Sequence, residues 1–299
     1  IEVLFKATPA PGSDSVPTDN LRVDLRPDRE MTLNVEIYNP NGSIPLIVTP
    51  GGMGDIEGFG AFAKNLAAAS SDLKVIIMDR RNLGRSEVSF ASAEPLSGEE
   101  AEDLHVLLQR LNIDSAIFYG MSSGSRSNMV LAERYPEQVD ALIIAPLTGG
   151  PIAAQRLADE YFLSYLRDDS LTSMEAVAET PLWKGYMERN SPELQKIFRE
   201  QDIDDFLRTM KMTGDYLASF HAKTTLGMTD EQLMSLEVPA TLILHHGQEI
   251  DFLHPKVNAR AATTLLQNST FKIAPNLQSI VDEVLPFVRE YTSARKAAQ

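Results

Sequence analysis

The 299-residue chain contains no cysteine. Disulfides, thiolate nucleophiles and zinc-thiolate sites are therefore excluded, and the composition fits a reducing compartment. Long apolar runs are also missing: no stretch is long enough to span a bilayer, and the N-terminus has no basic region followed by an apolar one. Cytoplasmic residence is the expectation. Basic residues are few. Against 42 Asp and Glu stand 27 Lys and Arg, a net charge of -15, and no Lys/Arg cluster interrupts it. Such a field repels phosphate backbones and anionic lipid headgroups, so nucleic-acid and membrane-surface roles are disfavoured. The expected partner is a small-molecule substrate, with a homodimer left open.

What is present suits a soluble globular fold. Hydrophobic residues make up 43% of the chain and charged ones 23%, enough apolar material for a core. Short β-rich runs recur: "IPLIVTP" (44–50), "KVIIMD" (74–79), "AIFYG" (116–120), "ALIIAP" (141–146), "TLILHH" (241–246) and "TFKIA" (270–274). They read as strands buried on both faces, alternating with helical patterns at 59–70 and 97–112. The second helix would open with Ser97 and Glu100 as a capping box. Ahead of them, "LRVDL" and "MTLNVEIYN" suggest an antiparallel hairpin at the sheet edge. The expected fold is α/β, a doubly wound and mostly parallel sheet. From 149 to 237 the alternation gives way to helical patterns alone. The division is thus a core in two parts, 1–148 and 238–299, with a helical cap inserted at 149–237. Trp183, Tyr186, Met187, Phe206 and Met210 have helical spacings there that fit cap packing, and some would line an apolar pocket.

The segment "AIFYGMSSGSRSNMVLAERYP" (116–136) runs strand, Gly-x-Ser-x-Gly, helix. A nucleophile at Ser122 would sit on a sharp turn that needs small neighbours, which Gly120 and Gly124 supply. Ser123 and Ser125 fall off the centre of the motif. The helix N-terminus that follows favours developing negative charge, so the Ser123 amide suits an oxyanion hole. A second donor is expected from "VTPGGMGD" (48–55), at the amide of Gly52 or Met53. A phosphate cradle is the alternative for that loop, but it lacks both the P-loop and the dinucleotide-binding patterns.

"TPGGMG" (49–54), "DRRNLGRS" (79–86), "GMSSG" (120–124) and "YPEQVDALIIAP" (135–146) resemble the α/β-hydrolase superfamily, together with the strand-end aspartate loop at 241–255. The first two segments look most like its proline-iminopeptidase-like branch, from which the chain departs at Pro50 and Met53. The resemblance implies a Ser, acid, His triad in that order, a helical cap between the sixth and seventh strands, and no cofactor.

A serine hydroxyl needs an imidazole to take its proton and a carboxylate to orient that imidazole. In "LHHGQEIDFLHP" (244–255), Asp251 precedes Pro255 by four residues, a spacing common in the superfamily, with Glu249 as its rival. The superfamily histidine belongs after the last strand. Here no histidine follows His254, and Asn276, Gln278 or Ser279 occupies the place. His254 lies three residues after Asp251, and one helical turn would bring them together. His221 is the alternative base, reaching in from the cap. His246 reads as structural, and His245 and His246 should point to opposite faces. His105 reads as structural or solvated. A metal reading would take Glu249, Asp251 and His254, with His245, as ligands, yet it leaves Ser122 and the Gly-rich loops unexplained. Arg81 is read as an ion-pair partner in preference to a carboxylate receptor.

The expected function is hydrolysis of an ester, lactone or activated carbonyl compound of apolar character, through an acyl-enzyme. A carbon–carbon hydrolase, an aminopeptidase whose acidic cap holds a free amine, and a binding protein of the same fold remain alternatives.

Overall fold

The computed structural model describes residues 13–298, with side chains followed to residue 293; the start of the expected first core part lies outside them. Among the described residues eight strands form one sheet: β1 (Thr18–Asp24), β2 (Thr32–Tyr38), β3 (Ile44–Thr49), β4 (Leu73–Met78), β5 (Ala116–Gly120), β6 (Val139–Ile144), β7 (Thr241–His245) and β8 (Ser269–Ile273). Their order is β1-β2-β4-β3-β5-β6-β7-β8. β1 pairs antiparallel with β2, and β2 with β4; every later pairing is parallel. Strands β3 to β7 carry continuous apolar runs because both faces are covered. Ile47, Phe118 and Leu142 pack into one layer, while their neighbours Val48, Tyr119 and Ile143 pack into the other. The outermost strands are blunted by exposed polar side chains, Lys272 on β8 among them.

The helices are α1 (Ile56–Ala69), α2 (Leu96–Arg110), α3 (Ser123–Arg134), α4 (Pro151–Tyr161), α5 (Met174–Ala178), α6 (Pro181–Arg189), α7 (Pro192–Arg199), α8 (Ile203–Ser219), α9 (Asp230–Ser235), α10 (Lys256–Leu265) and α11 (Leu277–Ala298). Six of them, α4 to α9, lie between β6 and β7 with no strand among them, as the helical patterning there suggests.

One local expectation fails. The capping box at Ser97 and Glu100 is absent: α2 is preceded by Pro95, with no side-chain cap. Glu100 accepts instead from Arg80 Nη1 at 2.8 Å and from the Ser127 hydroxyl. A buried guanidinium without a counter-charge costs more than an open helix end, so the carboxylate goes to Arg80. A capping box does form at Thr229 and Gln232.

The inserted helices have an aromatic core of their own. Phe90, from the loop after β4, stacks edge-on against Trp183, Phe198 and Phe206, with ring centroids at 5.5, 6.1 and 4.9 Å. Phe90 thereby pins the insertion to the sheet domain. Truncation in Phe90→Ala should cost about 3–5 kcal/mol, the range for a buried aromatic that leaves a cavity. Urea melts of the variant and parent would check it.

Candidate active site

Parallel strands deliver their following loops to one edge of the sheet, where α/β proteins bind ligands. The loops after β3, β5 and β7 meet there. β5 ends at Gly120, and the chain turns through Ser122, whose backbone takes φ 50° and ψ -111°. This is a left-handed conformation that disfavours an ordinary side chain and marks a sharp elbow. Gly124 is required by close approach, since a Cβ there would sit 2.2 Å from the Thr49 carbonyl oxygen. Gly120 is held likewise by the Ser125 backbone, 2.5 Å from its would-be Cβ.

The Ser122 hydroxyl lies 2.9 Å from His254 Nε2. His254 Nδ1 lies 3.0 Å from Asp251 Oδ2. How a three-residue spacing achieves this is visible in the turn: Asp251 Oδ1 accepts from the amides of Leu253 at 2.8 Å and His254 at 3.0 Å. An aspartate-capped turn, and not the helical turn expected from the spacing, folds the imidazole back onto the carboxylate. Glu249, the rival acid, is exposed and pairs with Lys256. His221 is exposed, bonded at 3.2 Å to the Ala218 carbonyl. His105 stacks on Tyr135 and bonds Gln138 and Gln109.

The other two histidines of 244–255 do not diverge to opposite faces. Both turn onto the Asp251 loop. His245 Nε2 donates to the His254 carbonyl at 2.9 Å, and His246 Nε2 donates to Asp251 Oδ2 at 2.9 Å. Each accepts a backbone amide at Nδ1, from Gly247 and Gln248 respectively. These bonds place the proton on Nε2 of both rings. For His254, a proton on Nδ1 facing Asp251 leaves Nε2 free to accept from Ser122. His246 has a larger part in the site than its position at a strand end suggests.

Burial pushes the Asp251 carboxyl up, but hydrogen bonds from His246 and His254, with the nearby His254 charge, outweigh it and hold the group well below the usual carboxylate range. Burial pulls His254 below its ordinary value of 6.5, against the hydrogen bond and charge of Asp251. At neutral pH the arrangement is thus an anionic carboxylate and a neutral imidazole.

Donor atoms of His246, Asp251 and His254 lie within 4.8 Å of one another. Glu249 and His245, the remaining members of the metal set, point elsewhere. The separations of 2.9 and 3.0 Å from the two imidazole nitrogens to one carboxylate oxygen are hydrogen-bond lengths.

On the opposite side of Ser122, the Gly52 amide donates to Ser123 Oγ at 2.7 Å, so that candidate oxyanion donor is engaged. The amides of Met53 and Ser123 have no acceptor among the described residues. Arg80 donates to the Gly52 carbonyl and to Glu100, tying the Gly-rich loop down. Arg81 grips Asp103 bidentately at 2.6 and 2.7 Å, a buried ion pair as expected for its role. Asp79, the first residue of "DRRNLGRS", accepts from the Ile56 amide at 2.6 Å and the Arg85 amide at 2.9 Å, which fixes the start of α1.

A cavity of ≈ 90 Å³ opens beside Ser122, Ser123 and Met53. Its walls are mostly apolar, with Leu157, Phe162, Leu182, Trp183, Met210 and Leu217 supplied by the insertion. Tyr186, Met187 and Phe206 pack within the insertion core. Arg126, four residues beyond Ser122, also faces the cavity; the spacing alone could have singled it out. Burial pulls its pKa down to about 10, with the Glu100 charge opposing and the Arg80 charge assisting.

The chain has the fold of the α/β hydrolases. A family model described as the alpha/beta hydrolase fold matches residues 44–169. The sn-1-specific diacylglycerol lipase of Mus musculus is 30% identical over 127 residues, 42% of this chain and 39% of that protein. A protein of Mycoplasma genitalium, provisionally assigned as a proline iminopeptidase, is 30% identical over 112 residues, 36% of this chain and 34% of its own length. Among solved structures, the 2-hydroxy-6-oxo-6-phenylhexa-2,4-dienoate hydrolase of Rhodococcus superposes with a TM-score of 0.59 at 17% identity, covering 93% of this chain and 99% of that one. That likeness concerns the fold. The chain spans about two fifths of the length of the curated relatives it matches.

NMR titration of the His254 ring should give a midpoint below 6.5. In Asp251→Asn, loss of the carboxylate charge that favours imidazolium should move it lower still.

Proposed function

We propose that the protein is a serine hydrolase acting on an ester, lactone or activated carbonyl small molecule through an acyl-enzyme, without a cofactor. The observation that carries this reading is the unbroken relay from Ser122 Oγ through His254 to Asp251, at 2.9 and 3.0 Å. Ser122 Oγ attacks the carbonyl carbon while His254 Nε2 takes its proton. Asp251 holds the imidazole in the required tautomer and stabilises the imidazolium that forms. The carbonyl oxygen becomes an oxyanion, met by the amides of Met53 and Ser123. Collapse breaks the bond to the leaving group, which departs with the proton from His254. Water then attacks the acyl-enzyme, giving up a proton to His254; the bond from the acyl carbon to Ser122 Oγ breaks, and His254 returns the proton to Ser122 Oγ as the acid product leaves.

The helices between β6 and β7 act as the lid in this scheme, excluding water from the acyl-enzyme. The aminopeptidase alternative draws less support. Glu100 is the acidic residue among those lining the cavity, and it is committed to Arg80 and Ser127, which leaves no carboxylate free there for a substrate amine.

A fluorophosphonate probe should label the parent protein at Ser122 and fail to label Ser122→Ala. His254→Ala should lose ester turnover by about 10⁴-fold or more. Full activity in that variant would remove His254 from the scheme, and absence of labelling in the parent would favour a binding protein. Because His254 must be neutral to accept the proton, acylation should fall on the acid side with a limb below pH 6.5, measured as kcat/KM against pH.

A further inference from the structure

Three buried arginines lie around the cavity, and two have carboxylate partners. Arg80 pairs with Glu100 at 2.8 Å, and Arg81 with Asp103 at 2.6 Å. Arg126 has none: no carboxylate oxygen lies within 4.0 Å of its guanidinium among the described residues. Only 8% of the residue is exposed. Its Nη1 donates to the Thr148 hydroxyl at 3.2 Å, which uses one of the five donors a guanidinium carries. Gly227 packs over its stem, where an added Cβ would sit 3.1 Å from Arg126 Cδ. The stem is therefore clamped, and the residue is part of the cavity wall.

A buried cation with no partner is costly, and proteins rarely keep one. Its place is also specific. Arg126 follows Ser122 by one helical turn, which sets their Cβ atoms about 5–6 Å apart along α3, and both residues line the cavity. An anion bound to it would lie beside the proposed acyl carbon, with the apolar wall of the insertion on the other side. A planar fork of N–H donors matches a carboxylate bidentately, better than it matches a neutral polar group.

We propose that the cavity receives a substrate bearing its own carboxylate near the scissile carbonyl, a hemiester of a short dicarboxylic acid or its equivalent, and that Arg126 binds that carboxylate. The proposal rests on the serine-hydrolase reading and names its substrate class. The cavity is consistent with a short acid portion: at ≈ 90 Å³ it is smaller than the ~150 Å³ void that admits benzene. Binding the anion also supplies the counter-charge that Arg126 lacks, so affinity for an acid and rejection of its neutral isostere come from the same side chain.

The test pairs phenyl hemiesters of glutaric and adipic acid with their neutral methyl phenyl diesters, in the parent protein, Arg126→Lys and Arg126→Gln. The parent should favour an acid over its diester by about 100-fold in kcat/KM, Arg126→Gln should lose most of that ratio, and Arg126→Lys should keep part of it. A purely structural arginine would lower both substrates together and leave the ratio where it was, which would overturn the proposal. So would a parent protein with no preference for either acid. Calorimetry of glutarate with Ser122→Ala, against the same protein carrying Arg126→Gln, reads the carboxylate site without turnover. Failure of fluorophosphonate labelling with glutarate binding intact would sink the serine reading alone; labelling with no glutarate binding would sink the Arg126 proposal alone.

Discussion

The Asp251 carboxylate is the point on which the site's geometry depends. It accepts four hydrogen bonds, two from backbone amides of its own turn and two from the imidazoles of His246 and His254. Each oxygen has a separate task. Oδ1 shapes the turn, and the turn brings His254 round; Oδ2 then orients the ring and is itself braced by His246. A side chain at 251 without acceptor oxygens would release the backbone and the imidazole together, since one group fixes both. That coupling explains how a histidine only three residues from its acid can reach Ser122, when local chain stiffness would ordinarily keep such neighbours from facing a third residue in a useful line.

The compact pairing frees the far side of the sheet. The segment after β8, where the superfamily resemblance leads one to seek a histidine, is a helix start: the Ser279 amide donates to Asn276 Oδ1 at 2.9 Å, and the Asn276 amide donates to Ser279 Oγ at 3.1 Å. These reciprocal bonds satisfy donors at the beginning of α11. The site accordingly gathers loops from β3, β5 and β7, three strands whose ends are set by the buried sheet, and asks nothing of the edge strand β8. Arg80 adds a cross-brace by joining the Gly-rich loop to Glu100 on α2.

Much of this was legible in the residues. The continuous apolar runs fixed the parallel sheet because burial on both faces leaves no room for polar alternation, and Gly120 and Gly124 announced the elbow because no Cβ fits there. The spacing of Asp251 and His254 made their contact thinkable. Less legible were features created by competition in space. Glu100 looks like a capping residue until Arg80, twenty positions earlier, claims it. His245 and His246 should diverge by strand alternation, but β7 ends at His245, and beyond that residue the period-two rule no longer governs direction. The Gly52 amide was an attractive donor until Ser123 Oγ met it.

The chain's net charge of -15 sits oddly with an anionic substrate, and the resolution is one of distance. Surface carboxylates act through water and salt, where the Debye length is about 8 Å at physiological ionic strength, so their repulsion on a small anion is largely spent before contact. Inside the cavity that screening is weak. Arg80 and Arg81 are already paired with Glu100 and Asp103, and Arg126 has no carboxylate oxygen within 4.0 Å among the described residues. An acidic exterior slows the encounter of a carboxylate with the mouth of the site, but it does little to the affinity once the carboxylate has exchanged water for a guanidinium. Rate of entry and strength of binding are therefore set by different charges, the first by the many acids on the surface and the second by one arginine a helical turn from Ser122.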